Sequence, residues 1–261
     1  MKNTLKKAFI ISFIFNFISF SLFGFLIYNK GGISYLAEKA VQLPELVQRT
    51  WFNNSSKNTV SIPPASEKPL NLTTIKLNTP EMDKGRPLMQ VLKERKSERA
   101  YSDQPLSLQD LSNLLWAADG ITRTDGRRTA PSARNMQQFD IYIIMKNGIY
   151  VYAPISNELI PVVEGDYRKN AGLDAYVAAA PVNLIYVADL AKLKGTTDEN
   201  TKILLANLDV GFIAENVALF CTSEGFASVP RLGIDKDTLS KILKLRPEQK
   251  IILATTVGYR K

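Results

Sequence analysis

Two short runs carry the groups most able to do chemistry. Arg95-Lys96-Ser97-Glu98-Arg99 places guanidinium forks, an ammonium and a hydroxyl within one stretch, a set that receives a phosphate through charge-assisted hydrogen bonds. Such a run taken alone is more often a solvated face. The second run, Ala130-Pro131-Ser132-Ala133-Arg134-Asn135-Met136-Gln137, is a loop of small and amide-bearing residues that feeds straight into an apolar segment. Alone it is a polar turn.

What is absent narrows the chemistry further. The 261 residues contain no histidine and one cysteine, Cys221. Ser-His-Asp and Cys-His nucleophile systems, HExxH zinc sites, iron–sulfur clusters and Cys-rich zinc sites are therefore excluded. Redox or transfer chemistry here must be carried by a cofactor. The first thirty residues hold Lys2, Lys6, Lys7 and Lys30 and no acid, so half of the formal charge of +8 belongs to the tail. The rest is dispersed, with no basic block interleaved with aromatics, which argues against a nucleic-acid partner.

Residues Ala8 to Tyr28 form a nearly unbroken apolar stretch preceded by three lysines. About twenty such residues span a bilayer as a helix, while Ser19 and Ser21 offer the small-x-small site of a cleavable signal peptide. Residues 1–30 thus read as a transmembrane anchor or a signal segment. The charge asymmetry places the remainder on the extracytoplasmic side, periplasmic or at the cell surface, anchored or secreted. Residues 31–81 read as a linker or stalk with a short amphipathic helix around Leu36–Phe52, and 82–261 as the folded domain.

Within that domain, proline at a first turn and apolar residues at Leu88, Val91 and Leu92 predict a helix just ahead of the cationic run. Ser107 to Asp119 predicts a second helix, with Ser107 as N-cap and Gly120 as stop. Phe139–Met145 and Ile149–Pro154 predict a hairpin turning at Asn147-Gly148. Strands are expected at Leu159–Val163, Val182–Asp189, Ala227–Pro230 and Ile251–Tyr259, and helices near Leu173–Ala180, at Asn200–Glu224 and at Lys236–Leu243. The Asn200–Glu224 helix is apolar almost all round, with Asn207, Asp209, Glu215 and Asn216 as exceptions. It requires burial on most sides, with Cys221 in the core and a second subunit as the natural cover.

In this order and at this distance, RKSER and PSARNMQ resemble the paired motifs of the nitroreductase superfamily. LDVGFIAENVALFCTSEGFASV is similar to that family's long dimer helix and following strand, and LRPEQKIILATTVGY to its closing strand. The resemblance implies an α+β fold with a mixed sheet flanked by helices, an obligate homodimer, and FMN bound at the subunit interface. Hydride would then pass through flavin N5 to a nitroaromatic, quinone or similar small-molecule acceptor, with NAD(P)H as a possible donor. By the same analogy Arg95, Lys96, Ser97 and Arg99 hold the phosphate and ribityl end, joined by Arg260. Pro131, Ser132, Asn135 and Gln137 form the ring-side loop, and Arg231, Leu232 and Gly233 pass backbone donors near N5.

Some positions depart from the family pattern. Lys96 replaces an arginine, Arg134 stands where a small residue is common, and Gln138-Phe139 stands where many relatives have Pro-Trp. The last two changes are expected to narrow the substrate cleft or add an anion contact. The phrasing of the second motif is closest to the SagB-like branch, whose members oxidise azolines in peptide maturation, although no Lys-Tyr pair occurs here. A non-enzymatic, flavin-binding scaffold at the membrane is the remaining alternative.

Overall fold

The computed structural model describes residues 71–261. The apolar tail and most of the stalk lie outside them. Packed structure begins ahead of Met82: strand β1 (Ile75–Lys76) pairs with a later strand, and Leu77 is buried in the core.

Helix α1 (Leu88–Glu94) and helix α2 (Leu108–Asp119) follow. Ser107 caps α2 as expected, its hydroxyl accepting from Asp110 N at 3.0 Å, a contact of about 1 kcal/mol. Strands β2 (Phe139–Met145), β3 (Gly148–Ala153) and β4 (Glu158–Glu164) form a meander. Helix α3 (Ala175–Ala179), strand β5 (Val182–Asp189), helix α4 (Glu199–Glu224), strand β6 (Phe226–Arg231), helix α5 (Lys236–Ile242) and strand β7 (Gln249–Tyr259) complete the order.

The sheet runs β1-β4-β3-β2-β5-β7-β6. Every pairing is antiparallel, so the expected mixed sheet is corrected. β5 and β6 are joined by the long crossover α4, but β7 lies between them and runs against both, so no parallel pair forms.

The hairpin expectation also needs correction. Met145 pairs with Gly148, leaving Lys146-Asn147 as the turn, and Gly148 is a strand residue without positive φ. Its lack of a side chain matters for another reason: a Cβ there would lie 2.7 Å from Val163 O.

β5 is buried along its whole length because each of its faces meets a core. Leu184 and Tyr186 point to the layer built with Leu111, Leu114 and Leu115 of α2 and Val210, Ile213 and Val217 of α4. Ile185 and Val187 point to the opposite layer, with Leu239 and Ile242 of α5. Each such side chain contributes about 1.5–3 kcal/mol on burial.

In the single chain α4 is buried along one side only. That side includes Ala206, Val210, Ile213, Val217 and Cys221, while Leu204, Leu208 and Phe212 stand 58%, 57% and 49% exposed on the other. Those three recur at i, i+4 and i+8, one continuous stripe of the helix surface. The helix is long and apolar enough to cross a membrane by composition alone, yet its inner face packs on the sheet. Leu88 and Leu92 of α1 are likewise exposed, and only Val91 of that helix is buried. Cys221 is fully buried and its thiol is pushed up to about 12 by burial, which makes it a core residue.

Candidate functional site

Arg95 ends α1, donating its N–H to Val91 O at 2.8 Å, and the chain then runs extended beside β6, with Glu98 N donating to Ser228 O at 3.0 Å. Ser102 N donates to Tyr259 O, and Tyr101 bridges to Arg260, so the end of β7 is carried to this segment. There Glu98 accepts from Lys96 Nζ at 2.9 Å and from Arg260 Nε at 2.8 Å. Partial burial works to raise the Glu98 carboxyl, but the two cations outweigh it and hold the group below the ordinary glutamate range. The Arg99 guanidinium lies 5.9 Å from the centroid of the Tyr176 ring, a cation–π distance. Lys96, Ser97 and Arg99 are exposed and Arg95 is partly so. Lys96 and Arg260 thus share the Glu98 carboxylate, while Arg95 and Arg99 lie on the same stretch of chain.

The loop from Pro131 to Gln138 is built differently. Arg134, Asn135 and Gln137 all have left-handed backbones, with φ of 53°, 55° and 47°. That conformation costs Arg134 and Gln137 roughly 1–2 kcal/mol each, and asparagine less. The offset comes from α4. Asp209, 5% exposed, accepts from Ala133 N at 2.8 Å and from Gln138 Nε2 at 2.7 Å. Hydrogen bonds to a charged acceptor contribute about 1.5–3 kcal/mol apiece, enough to hold the strained turn. Ser132 Oγ accepts from Gln137 N at 3.0 Å, and Gln137 Nε2 donates to Gly126 O and to Asn135 Oδ1. Gln137 therefore braces the loop and fixes the Asn135 carbonyl, while Pro131 and Asn135 remain exposed.

Gln138 and Phe139 are fully or almost fully buried, so neither narrows a cleft; Gln138 serves as an anchor to Asp209. Behind the loop lies a second buried pair, Asp119 with Arg128. Burial dominates there, raising the Asp119 carboxyl to about 6 against the pull of the guanidinium.

In the third expected stretch, Leu232 is exposed and Gly233 partly so. The Arg231 side chain turns inward instead, 7% exposed. It donates to Thr256 Oγ1, Ala171 O, Gly233 O and Asn183 Oδ1 at 2.8, 2.8, 3.1 and 3.0 Å. Any contribution of Arg231 to a ligand is thus confined to its backbone, because a buried guanidinium with four acceptors is fixed in place.

The sequence reading did not assign Asp209 or Tyr176. Asp209 had a signal, as one of the few polar residues on an apolar helix. Tyr176 had none, since its place beside Arg99 arises from long-range packing.

Within one chain the halves lie apart. The amide loop is fastened at Asp209, whereas the segment leading into the cationic run is fastened at Ser223, whose hydroxyl accepts from Arg86 N at 2.9 Å. At roughly 1.5 Å per residue, those two α4 positions are about 21 Å apart.

Comparison with known proteins gives this arrangement a family. Residues 92–259 match the Nitroreductase family. A Methanocaldococcus jannaschii protein named as a nitroreductase is 28% identical over 183 residues, 66% of this chain and 91% of that one. A Streptococcus pyogenes protein named as an NAD(P)H nitroreductase is 27% identical over 190 residues, 66% of this chain and 88% of that one. The crystal structure of a Ralstonia eutropha protein named as a nitroreductase aligns with a TM-score of 0.70 and 32% identity, covering 77% of this chain and 96% of that one. The chain belongs to the nitroreductase family of oxidoreductases.

Proposed function

We infer that this protein is an FMN-dependent oxidoreductase that passes electrons to a nitroaromatic, quinone or similar acceptor. The observation that carries the reading is the pair of half-sites at separate places along α4, one cationic and one of neutral amides. The cationic half fits a dianionic phosphate: Arg95, Lys96 and Arg99 offer charged donors on an open surface, Ser97 adds a hydroxyl, and Arg260 is brought alongside. The amide half fits a flat heteroaromatic ring, for which Asn135 would supply a fixed polar group and Gln137 would hold it in place.

When bound, FMN would supply hydride transfer, which ordinary side chains do not perform alone. The residues bind, orient and polarise. Cations would hold the phosphate, the braced Asn135 would hold the ring, and the backbone of Arg231, Leu232 and Gly233 would offer donors to it.

The exposed Leu204, Leu208 and Phe212 stripe supports a homodimer. A second copy laid across α4 would bring the amide loop of one protomer toward the cationic segment of the other. The lysine-led apolar tail supports an extracytoplasmic site, anchored or secreted, where the nicotinamide donor would give way to a membrane quinol.

The test is purification of the full chain, a flavin spectrum, and mixing of the oxidised protein with NADPH and then with a quinol. Bleaching by either donor is expected. Protein that is colourless and takes up no added FMN overturns the reading.

A further inference from the structure

Arg134 occupies the middle of the amide loop yet takes no part in its bonding. The carboxylates of this region are committed elsewhere: Asp209 to Ala133 and Gln138, Asp140 to Lys192, and Asp119 to Arg128. Among the described residues the Arg134 guanidinium has neither an ion-pair nor a hydrogen-bond partner, and the side chain is exposed.

The left-handed backbone at φ 53° sets the direction in which its side chain leaves the loop, and the guanidinium lies against Gly195, where any Cβ would overlap Nη1. Gly195 is itself left-handed, at φ 93°. The two segments are tied together by Lys194 N donating to Met136 Sδ at 3.1 Å. An uncompensated guanidinium lying against Gly195, next to the residue assigned to the ring, is suited to a planar oxyanion, which it can meet with two parallel hydrogen bonds.

We propose that Arg134 determines acceptor specificity, docking the carboxylate of an anionic acceptor beside the amide loop. This rests on the reading of that loop as the ring-side half of a flavin site. A neutral quinone would gain nothing from the arrangement, whereas a carboxylated nitroaromatic would be oriented by it.

The experiment uses the full chain loaded with FMN and photoreduced, so that no nicotinamide is needed. Reoxidation is followed with para-nitrobenzoate and with the neutral para-nitrobenzamide, in wild type, Arg134→Gly and Arg134→Lys. Glycine suits the left-handed backbone and so preserves the loop. The expected result is a loss of about 10- to 100-fold in kcat/KM for the carboxylate in Arg134→Gly, the range of a charge-assisted hydrogen bond, with less than about threefold for the amide. Arg134→Lys should recover part of the loss, because it keeps the charge without the fork. Calorimetric titration of para-nitrobenzoate into the oxidised protein should show the same weakening without turnover.

Equal losses for both acceptors, or none for the carboxylate, overturn the proposal while leaving the flavin assignment intact. A loss absent from the photoreduced protein but seen when the flavin is instead reduced with NADPH moves the anion to the donor and also overturns it. A wild type that holds no flavin overturns both readings.

Discussion

Around Arg95–Arg99 the cations are largely exposed, with Lys96 and Arg260 paired to Glu98, whereas the Pro131–Gln138 loop is fastened through Ala133 N and the Gln138 amide to the buried carboxylate of Asp209. The first region stores little energy, since surface ion pairs contribute only about 0–1 kcal/mol, and on the proposed reading it would exchange Glu98 for an anion. The second stores strain, in three left-handed residues, against a pair of buried bonds. A binding surface for charge can be loosely built because the ligand completes it. A surface that positions a ring must be rigid before the ligand arrives.

The sharpest way to break the comparison is to keep the halves apart. Leu208→Glu with Phe212→Glu places two charges on the exposed stripe of α4. Sedimentation velocity should then report a monomer with native circular dichroism and no retained flavin; a flavin-bound monomer would show that one chain suffices.

Next in size is Asp209→Ala, which leaves Ala133 N and the Gln138 amide buried without their acceptor. It should cost about 2–5 kcal/mol in urea unfolding and abolish FMN uptake.

Arg95→Ala with Arg99→Ala should separate binding from stability. FMN affinity should fall by roughly 100-fold with a weaker salt dependence, riboflavin affinity should barely move, and unfolding should change by no more than about 0.5 kcal/mol. Equal losses for FMN and riboflavin would remove the phosphate role.

The smallest effect concerns the support behind the loop. The Asp119 carboxyl rises from 3.8 to about 6 in the fold, chiefly through burial. Its raised value contributes stability that is fully present below pH 3.8 and is lost as the pH climbs through about 6. The difference in Tm between wild type and Asp119→Asn should therefore favour wild type most at the acid end and shrink across that window. A constant difference would place the titration elsewhere.

Much of this molecule was legible in its sequence because local rules wrote it. The Ser107 cap, the uninterrupted apolar run of β5 and the length of α4 are propensity and periodicity, and the structure follows them. What escaped depends on sequence-distant contacts. The exposed side of α4 could not be told from the buried one, because Leu204, Leu208 and Phe212 are as apolar as Val210 and Ile213. Gln138 was expected in a cleft and instead meets Asp209, seventy-one positions away. The inward turn of Arg231 was hidden for the same reason: its acceptors come from β5, β7 and the segment before α3.

The place of β7 between β5 and β6 has a kinetic consequence. β6 emerges earlier in the chain but has no neighbour in the sheet until β7 arrives to pair with it on one edge and with β5 on the other. The same arrival delivers Arg260 to the cationic segment. Assembly of that half-site is thus coupled to the closing step of the sheet rather than to the early hairpins. Such late, long-range pairing slows folding and leaves a strand edge open meanwhile, a window in which a chaperone has time to act.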